Sequence, residues 1–136
     1  MKSYLGIDYG RKRIGLAISE AGLIARPLRT IENKGERKNL ITFAEIIKKH
    51  NIGIIIMGLP VHKNPAMSNE VRAFAKTLES MNVKIVFQNE MLTSFEAEQN
   101  LAKKDRNLID SVAASMILQD YLQILQEKEK KDGLQN

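Results

Sequence analysis

The sequence predicts an α/β domain built on a mixed five-stranded sheet with helices on both faces. Three observations predict it. The first third of the chain carries three apolar, strand-like stretches joined by short links. Two further strand-like stretches then alternate with segments whose apolar residues recur at helical spacing. The chain has 136 residues, 43% hydrophobic and 27% charged, which suits one soluble globular domain with a single core over 1–136. Strands in hairpins followed by alternating strands and helices give a sheet that is part antiparallel and part parallel.

Taken in order, residues 3–9 alternate with period two, Leu5 and Ile7 pointing one way and Tyr4, Gly6 and Asp8 the other. "IGLAIS" (14–19) is a second strand, and the link from Tyr9 to Arg13 is short enough for an antiparallel hairpin. "LIARPLRTIE" is a third strand, in which Pro27 suggests an edge or an irregularity. From Glu36 to His50 a helix places Leu40, Ile41, Phe43, Ala44, Ile46 and Ile47 on its apolar side. "IGIIIMGLP" does not alternate and reads as a strand buried on both faces. "VHKNPAMSN" reads as a loop, followed by a helix from about Ser68 to Met81 that buries Val71, Phe74, Ala75 and Leu78. "VKIVFQ" is the fifth strand. "TSFEAEQNLAKK" is a helix, since Thr93 and Glu96 make a capping box. A last helix runs from about Leu108 to Lys130 on a stripe of Ile109, Val112, Ala113, Met116, Ile117 and Ile124, and the charged tail from about 127 to 136 is expected to fray. This order is that of the ribonuclease H-like fold, and it suits other α/β domains as well.

Composition narrows the function classes. There is no cysteine, so disulfides and thiolate metal sites are excluded and a reducing cytoplasm is the expected setting. His50 and His62 lie too far apart to suggest a zinc motif. A metal, if used, needs oxygen ligands, which points to Mg²⁺ or Mn²⁺. The N-terminus goes straight into strand-like sequence, giving no signal-peptide pattern, and no apolar run is long enough to span a bilayer. The net charge of +5 favours a polyanionic partner. With no tryptophan and 5% aromatics, recognition is expected through phosphates and shape.

Three acids stand out. Asp8 lies inside an apolar run between Gly6 and Gly10, whose lack of side chains is expected to leave room for a ligand over the carboxylate. The alternatives are a turn acid, better placed one or two residues later, or an ion pair with Arg11 or Arg13. Glu90 falls just past the carboxyl end of the fifth strand, where open α/β sheets place ligands; a solvated loop residue is the plain alternative. Asp110 begins the last helix, where Asn107 as N-cap and Asp110 as third residue would suit the macrodipole. Against that, Ala113 and Ala114 one turn on are expected to leave space, and Asp110 borders the buried stripe. Together Asp8, Glu90 and Asp110 can hold one or two Mg²⁺ ions with a substrate's phosphate oxygens, as phosphodiester cleavage requires. Lys12 and Arg13, beside Asp8 in the hairpin turn with Arg11, are placed to meet a phosphate backbone, and the Thr93 hydroxyl could orient a phosphate as well as cap a helix.

"GIDYGRKRIGLAIS", then "GLP" after a buried strand, then "NEMLTS", then "LIDSVAASMILQDYL" resemble the YqgF family, also called RuvX. These are small bacterial proteins of ribonuclease H-like fold, similar to Holliday junction resolvases and described as candidate pre-16S ribosomal RNA nucleases. The resemblance runs from Tyr4 to about Leu122, with four motifs in the right order and separation. It implies that Asp8, Glu90 and Asp110 bind Mg²⁺ or Mn²⁺ and activate water for phosphodiester hydrolysis. It also implies processing of the 5′ end of pre-16S rRNA, with Holliday junction resolution, or a non-catalytic RNA-binding role in ribosome assembly, as alternatives. Family members usually read "DERLT" where this chain has "NEMLT", so Asn89 replaces an acid and Met91 an arginine while Glu90 is kept. The implied partner is structured RNA or branched DNA. Symmetric junction resolution calls for a two-fold dimer, and no sequence feature marks a dimer face, so a monomer or weak homodimer is expected.

One other class shares the first motif. Nucleotide-binding ATPases of the actin and sugar-kinase type also carry Gly-Ile-Asp-x-Gly on a hairpin. They need two such domains and a second motif to enclose ATP, and this chain has neither. No GxxxxGK[ST] loop occurs.

Overall fold

The computed structural model describes residues 2–61, 64–90 and 106–134. The elements are β1 (Ser3–Tyr9), β2 (Arg13–Ser19), β3 (Arg26–Glu32), α1 (Glu36–Lys49), β4 (Ile52–Leu59), α2 (Pro65–Leu78) with a 3-10 turn at Glu79–Met81, β5 (Lys84–Asn89) and α3 (Arg106–Leu134). The strands form one sheet in the order β3-β2-β1-β4-β5. β1, β2 and β3 pair antiparallel, whereas β4 pairs parallel with both β1 and β5. β3, with Pro27, lies on an edge as expected, since a proline cannot donate to a second ladder.

Period-two alternation sorts the sheet residues onto two faces. Leu5, Ile7, Leu16, Ile18, Ile55 and Met57 pack with Phe43 and Ile46 of α1 and with Val71, Phe74 and Leu78 of α2. On the other face Ala17 and Ile56 pack under Ala114, Ile117, Leu118 and Leu122 of α3. Small residues let α3 lie very close to the strands. A Cβ placed on Gly15 of β2 would stand 2.0 Å from the carbonyl oxygen of Asp110, and one on Gly6 would stand 2.8 Å from both the Ala114 carbonyl oxygen and Leu118 Cβ.

Several boundaries differ from expectation, each for a physical reason. α2 begins at Pro65, three residues earlier than its periodicity suggests. Asn64 is its N-cap, the side chain accepting a hydrogen bond from the Met67 N–H at 3.1 Å, and proline suits the first helical position. α3 is already helical at Arg106, so Asn107 lies within the helix and Asp110 is past its first turn, not an N-terminal cap acid. The same helix continues to Leu134, so the tail expected to fray from about residue 127 is helical as far as that residue. Oppositely charged residues four apart, Glu127 with Lys131 and Lys128 with Asp132, favour that continuation. Ile41 and Ile124, expected in apolar stripes, are 59% and 54% exposed, and Leu118 and Leu122 supply the contacts of α3 instead. The expected helix over 93–104, together with Thr93 and His62, lies outside the described residues. Among the described residues no helix is long and apolar enough to cross a membrane.

Candidate active site

The site lies where β1, β4 and β5 end on the α3 face of the sheet. Asp8 is the last residue of β1 on that face and pairs across the ladder with Gly15. Asp110 sits directly over Gly15, because only a residue without a side chain lets the helix backbone come so near. The ladder register therefore brings Asp8 and Asp110 together, although 102 positions part them in sequence. Glu90 follows β5, its N–H donating to the Leu59 carbonyl at 3.2 Å. Its Oε1 lies 3.1 Å from where a Cβ on Gly58 would be, so the glycine of "GLP" gives the carboxylate its place.

Asp8 is half-buried, and its carboxyl is held well above the usual carboxylate range. Removal from water is the chief cause, followed by repulsion from Glu90 and then from Asp110. Among the described residues none donates a hydrogen bond to it. Asp110 is satisfied instead: Arg13 Nε donates to its Oδ2 at 2.8 Å, with the two side chains 31% and 22% exposed.

The hairpin carrying Arg11, Lys12 and Arg13 is anchored from behind. Tyr9 stacks on Phe74 with ring centroids 4.6 Å apart. Arg11 makes a forked ion pair with Glu70 of α2, Nη2 donating to Oε2 at 2.7 Å. Asn33 donates from Nδ2 to the Gly10 carbonyl at 2.9 Å and from its backbone N–H to the Lys12 carbonyl at 2.9 Å. Asn39, buried in α1, donates in turn to Asn33 Oδ1 and accepts from the Lys34 N–H. Of the three basic residues, only Lys12 has no ion-pair partner among the described residues.

Glu90 and Asp110 thus both act on Asp8 through their charge, but the space expected around these acids is filled. The space over Gly6 is filled by α3, and Gly10 faces the backbone of Arg13, so neither glycine leaves room for a ligand. Ala113 and Ala114 are buried in helix–sheet packing and open no space above Asp110. Neither Arg11 nor Arg13 pairs with Asp8. The parts that Gly15, Asn33 and Asn39 play, and that of Gly58 in placing Glu90, escaped sequence reading. The two glycines stood in plain view in strand sequences, where a glycine signals close approach.

The donor chemistry suits an oxygen-liganded divalent cation, since Glu90 and Asp110 both repel the Asp8 carboxylate and no hydrogen-bond donor to it stands among the described residues. The arrangement stops short of a closed site. Among the described residues no group of three or more acid or histidine side chains could hold a metal ion as it stands, and one oxygen of Asp110 is engaged by Arg13.

A profile of the RuvX family, described as Holliday junction resolvase, matches residues 2–124. A protein of Endomicrobium trichonymphae is 35% identical, the match covering 91% of this chain and 97% of the relative. One of Syntrophus aciditrophicus is 36% identical, covering 95% and 94%. Both carry the name of a candidate pre-16S rRNA nuclease. Among solved structures, T. thermophilus RuvC in complex with a Holliday junction substrate aligns with a TM-score of 0.61 at 14% identity, over 93% of this chain and 96% of that one. Fowlpox virus resolvase with Holliday junction DNA aligns with a TM-score of 0.57 at 13% identity, over 90% and 98%. At such identities the likeness shows the fold, which is ribonuclease H-like.

Proposed function

The chain belongs to the RuvX family, and from that premise we propose that it is a metal-dependent nuclease that hydrolyses phosphodiester bonds, its task being the 5′ end of a pre-16S rRNA precursor. The observation that carries this reading is Asp8: a half-buried carboxylate at the end of β1, without a hydrogen-bond donor among the described residues and repelled by Glu90 and Asp110. Such a cluster is costly unless a cation relieves it. Drawn closer than they stand without the ion, Asp8, Glu90 and the Asp110 oxygen that Arg13 leaves unengaged would hold Mg²⁺ or Mn²⁺. The cation would supply neutralising charge and a water acidified for attack on phosphorus.

The chain's own residues do the positioning. Arg13 holds Asp110 at a fixed rotamer beside Asp8, and Lys12 projects from the same hairpin toward solvent, free to meet a phosphate. The relatives' names favour an RNA substrate, while the family's description favours branched DNA; both belong in the test. Purified protein is incubated with labelled precursor RNA and with a four-way DNA junction, in Mg²⁺ or Mn²⁺. The RNA is expected to be cut, and Asp8→Asn to slow cutting roughly 100-fold or more, about 2.7 kcal/mol of barrier. Undiminished cleavage by the variant would sink the site. Binding without cleavage of either substrate would favour an assembly factor that keeps the fold without the chemistry.

A further inference from the structure

We propose that the open edge of the sheet, from the β1–β2 hairpin along β3 to the last turn of α1, is a phosphate track that carries a double-helical arm of the nucleic acid. The proposal rests on the nuclease reading and extends it to a surface away from the three acids. Three clefts adjoin along this edge. The first holds Arg11, Lys12 and Arg13, the second Arg29 and Lys34, and the third Arg29 again with Lys49; each shares lining residues of β3 or α1 with the next. Six cations against two carboxylates, Glu32 and Glu45, line the whole path. Even with Glu70 and Asp110, which pair with Arg11 and Arg13, counted in, cations outnumber carboxylates six to four along the path, in a chain whose total excess is +5.

Pairing sharpens the pattern. Arg11 and Arg13 are taken by Glu70 and Asp110. Lys12, Arg29, Lys34 and Lys49 are all exposed and make no ion pair among the described residues. No Phe, Tyr or Trp lines the clefts. With only the half-buried His50 imidazole, at the far end, to stack on unpaired bases, a single strand gains little there, whereas the regular phosphates of a duplex need only cations. The scale agrees. The seven residues of β3 span about 20 Å at ~3.3 Å each, the length over which one strand of a B-form duplex presents about six phosphates. The track begins at the hairpin beside Asp8, so a duplex laid along β3 would deliver its end or branch to the acids.

The test measures binding, in buffer without divalent metal, of a labelled 20-base-pair RNA duplex and of the DNA duplex of the same sequence. Wild type is compared with Arg29→Ala/Lys34→Ala/Lys49→Ala. The control is Lys128→Ala/Lys130→Ala/Lys131→Ala, which removes the same charge from the exposed far end of α3. Thermal unfolding of all three proteins checks that each is folded. The edge triple should bind at least roughly tenfold more weakly, and its slope of log K against log salt should fall by about 2.7, or ~0.9 per lost phosphate contact. The control should shift neither by more than about twofold. Equal losses in both triples would reduce the effect to net charge and overturn the track, as would wild-type affinity in the edge triple; in either case the nuclease reading stands. Failure of wild type to bind either duplex would overturn the track, while the nuclease reading stands or falls by the cleavage of precursor RNA and junction.

Discussion

Asp8 is a residue that the native state holds at a cost. Its carboxyl is raised by burial and by Glu90 and Asp110, so its folded pKa lies above the unfolded value of about 3.9. The stability associated with this group is therefore fully present below that unfolded value. It is lost as pH rises from there through the raised folded pKa, where the buried group must ionise. Asp8→Asn removes the charge and keeps the shape. In metal-free buffer it should raise Tm at neutral pH, by roughly 3–5 °C for each 1 kcal/mol relieved, with the gain vanishing near pH 4. Thermal scans of both proteins across that range check it, and a variant less stable than wild type at pH 7 would contradict it. The sequence showed Asp8 as an acid out of place in an apolar run. It did not show that Arg13 answers Asp110, because a pairing across 97 positions depends on which glycine the helix crosses.

At the scale of elements, α3 governs the site. It reaches Asp8 only because Gly15 admits backbone against backbone. Gly15→Ala would put a methyl carbon 2.0 Å from the Asp110 carbonyl oxygen, where no side chain can yield, so helix and strand must part. Overpacking of this kind should cost about 3 kcal/mol. It should also lower activity more than stability explains, since Asp110 moves with the helix; denaturant unfolding and cleavage assays on the same preparation separate the two losses. Gly58→Ala meets the end of Ile117, a flexible side chain, so the fold should suffer less while Glu90 is displaced. Helices and strands were legible from periodicity. The start of α2 was missed because a cap at Asn64 outweighed the loop-like composition after it. The reach of α3 was missed because its last turns bury little, and periodicity reads only what is buried.

For the whole molecule, the order of strands and helices was legible because hairpins and crossovers leave different spacings in the chain. The glycine seams that set how closely the layers meet were not, since a glycine gives no hydropathy signal. Protection against hydrogen exchange should follow this architecture. Amides of β1 and β4, paired on both sides in mid-sheet, should exchange only on global unfolding. Those of β3 on the edge and of α3 beyond Glu127 should exchange much sooner, and mass spectrometry of peptides reads the ranking directly. Slow exchange in the last turns of α3 would show that something else covers them. The order of elements also has a temporal meaning. α3 brings the third acid and, among the described elements, is the one cover for its face of the sheet. A nascent chain emerging from the ribosome presents Asp8 and Glu90 on a sheet with one greasy side still bare. Completion of that layer and arrival of Asp110 are one event, so under the proposed chemistry a half-made chain lacks its third carboxylate.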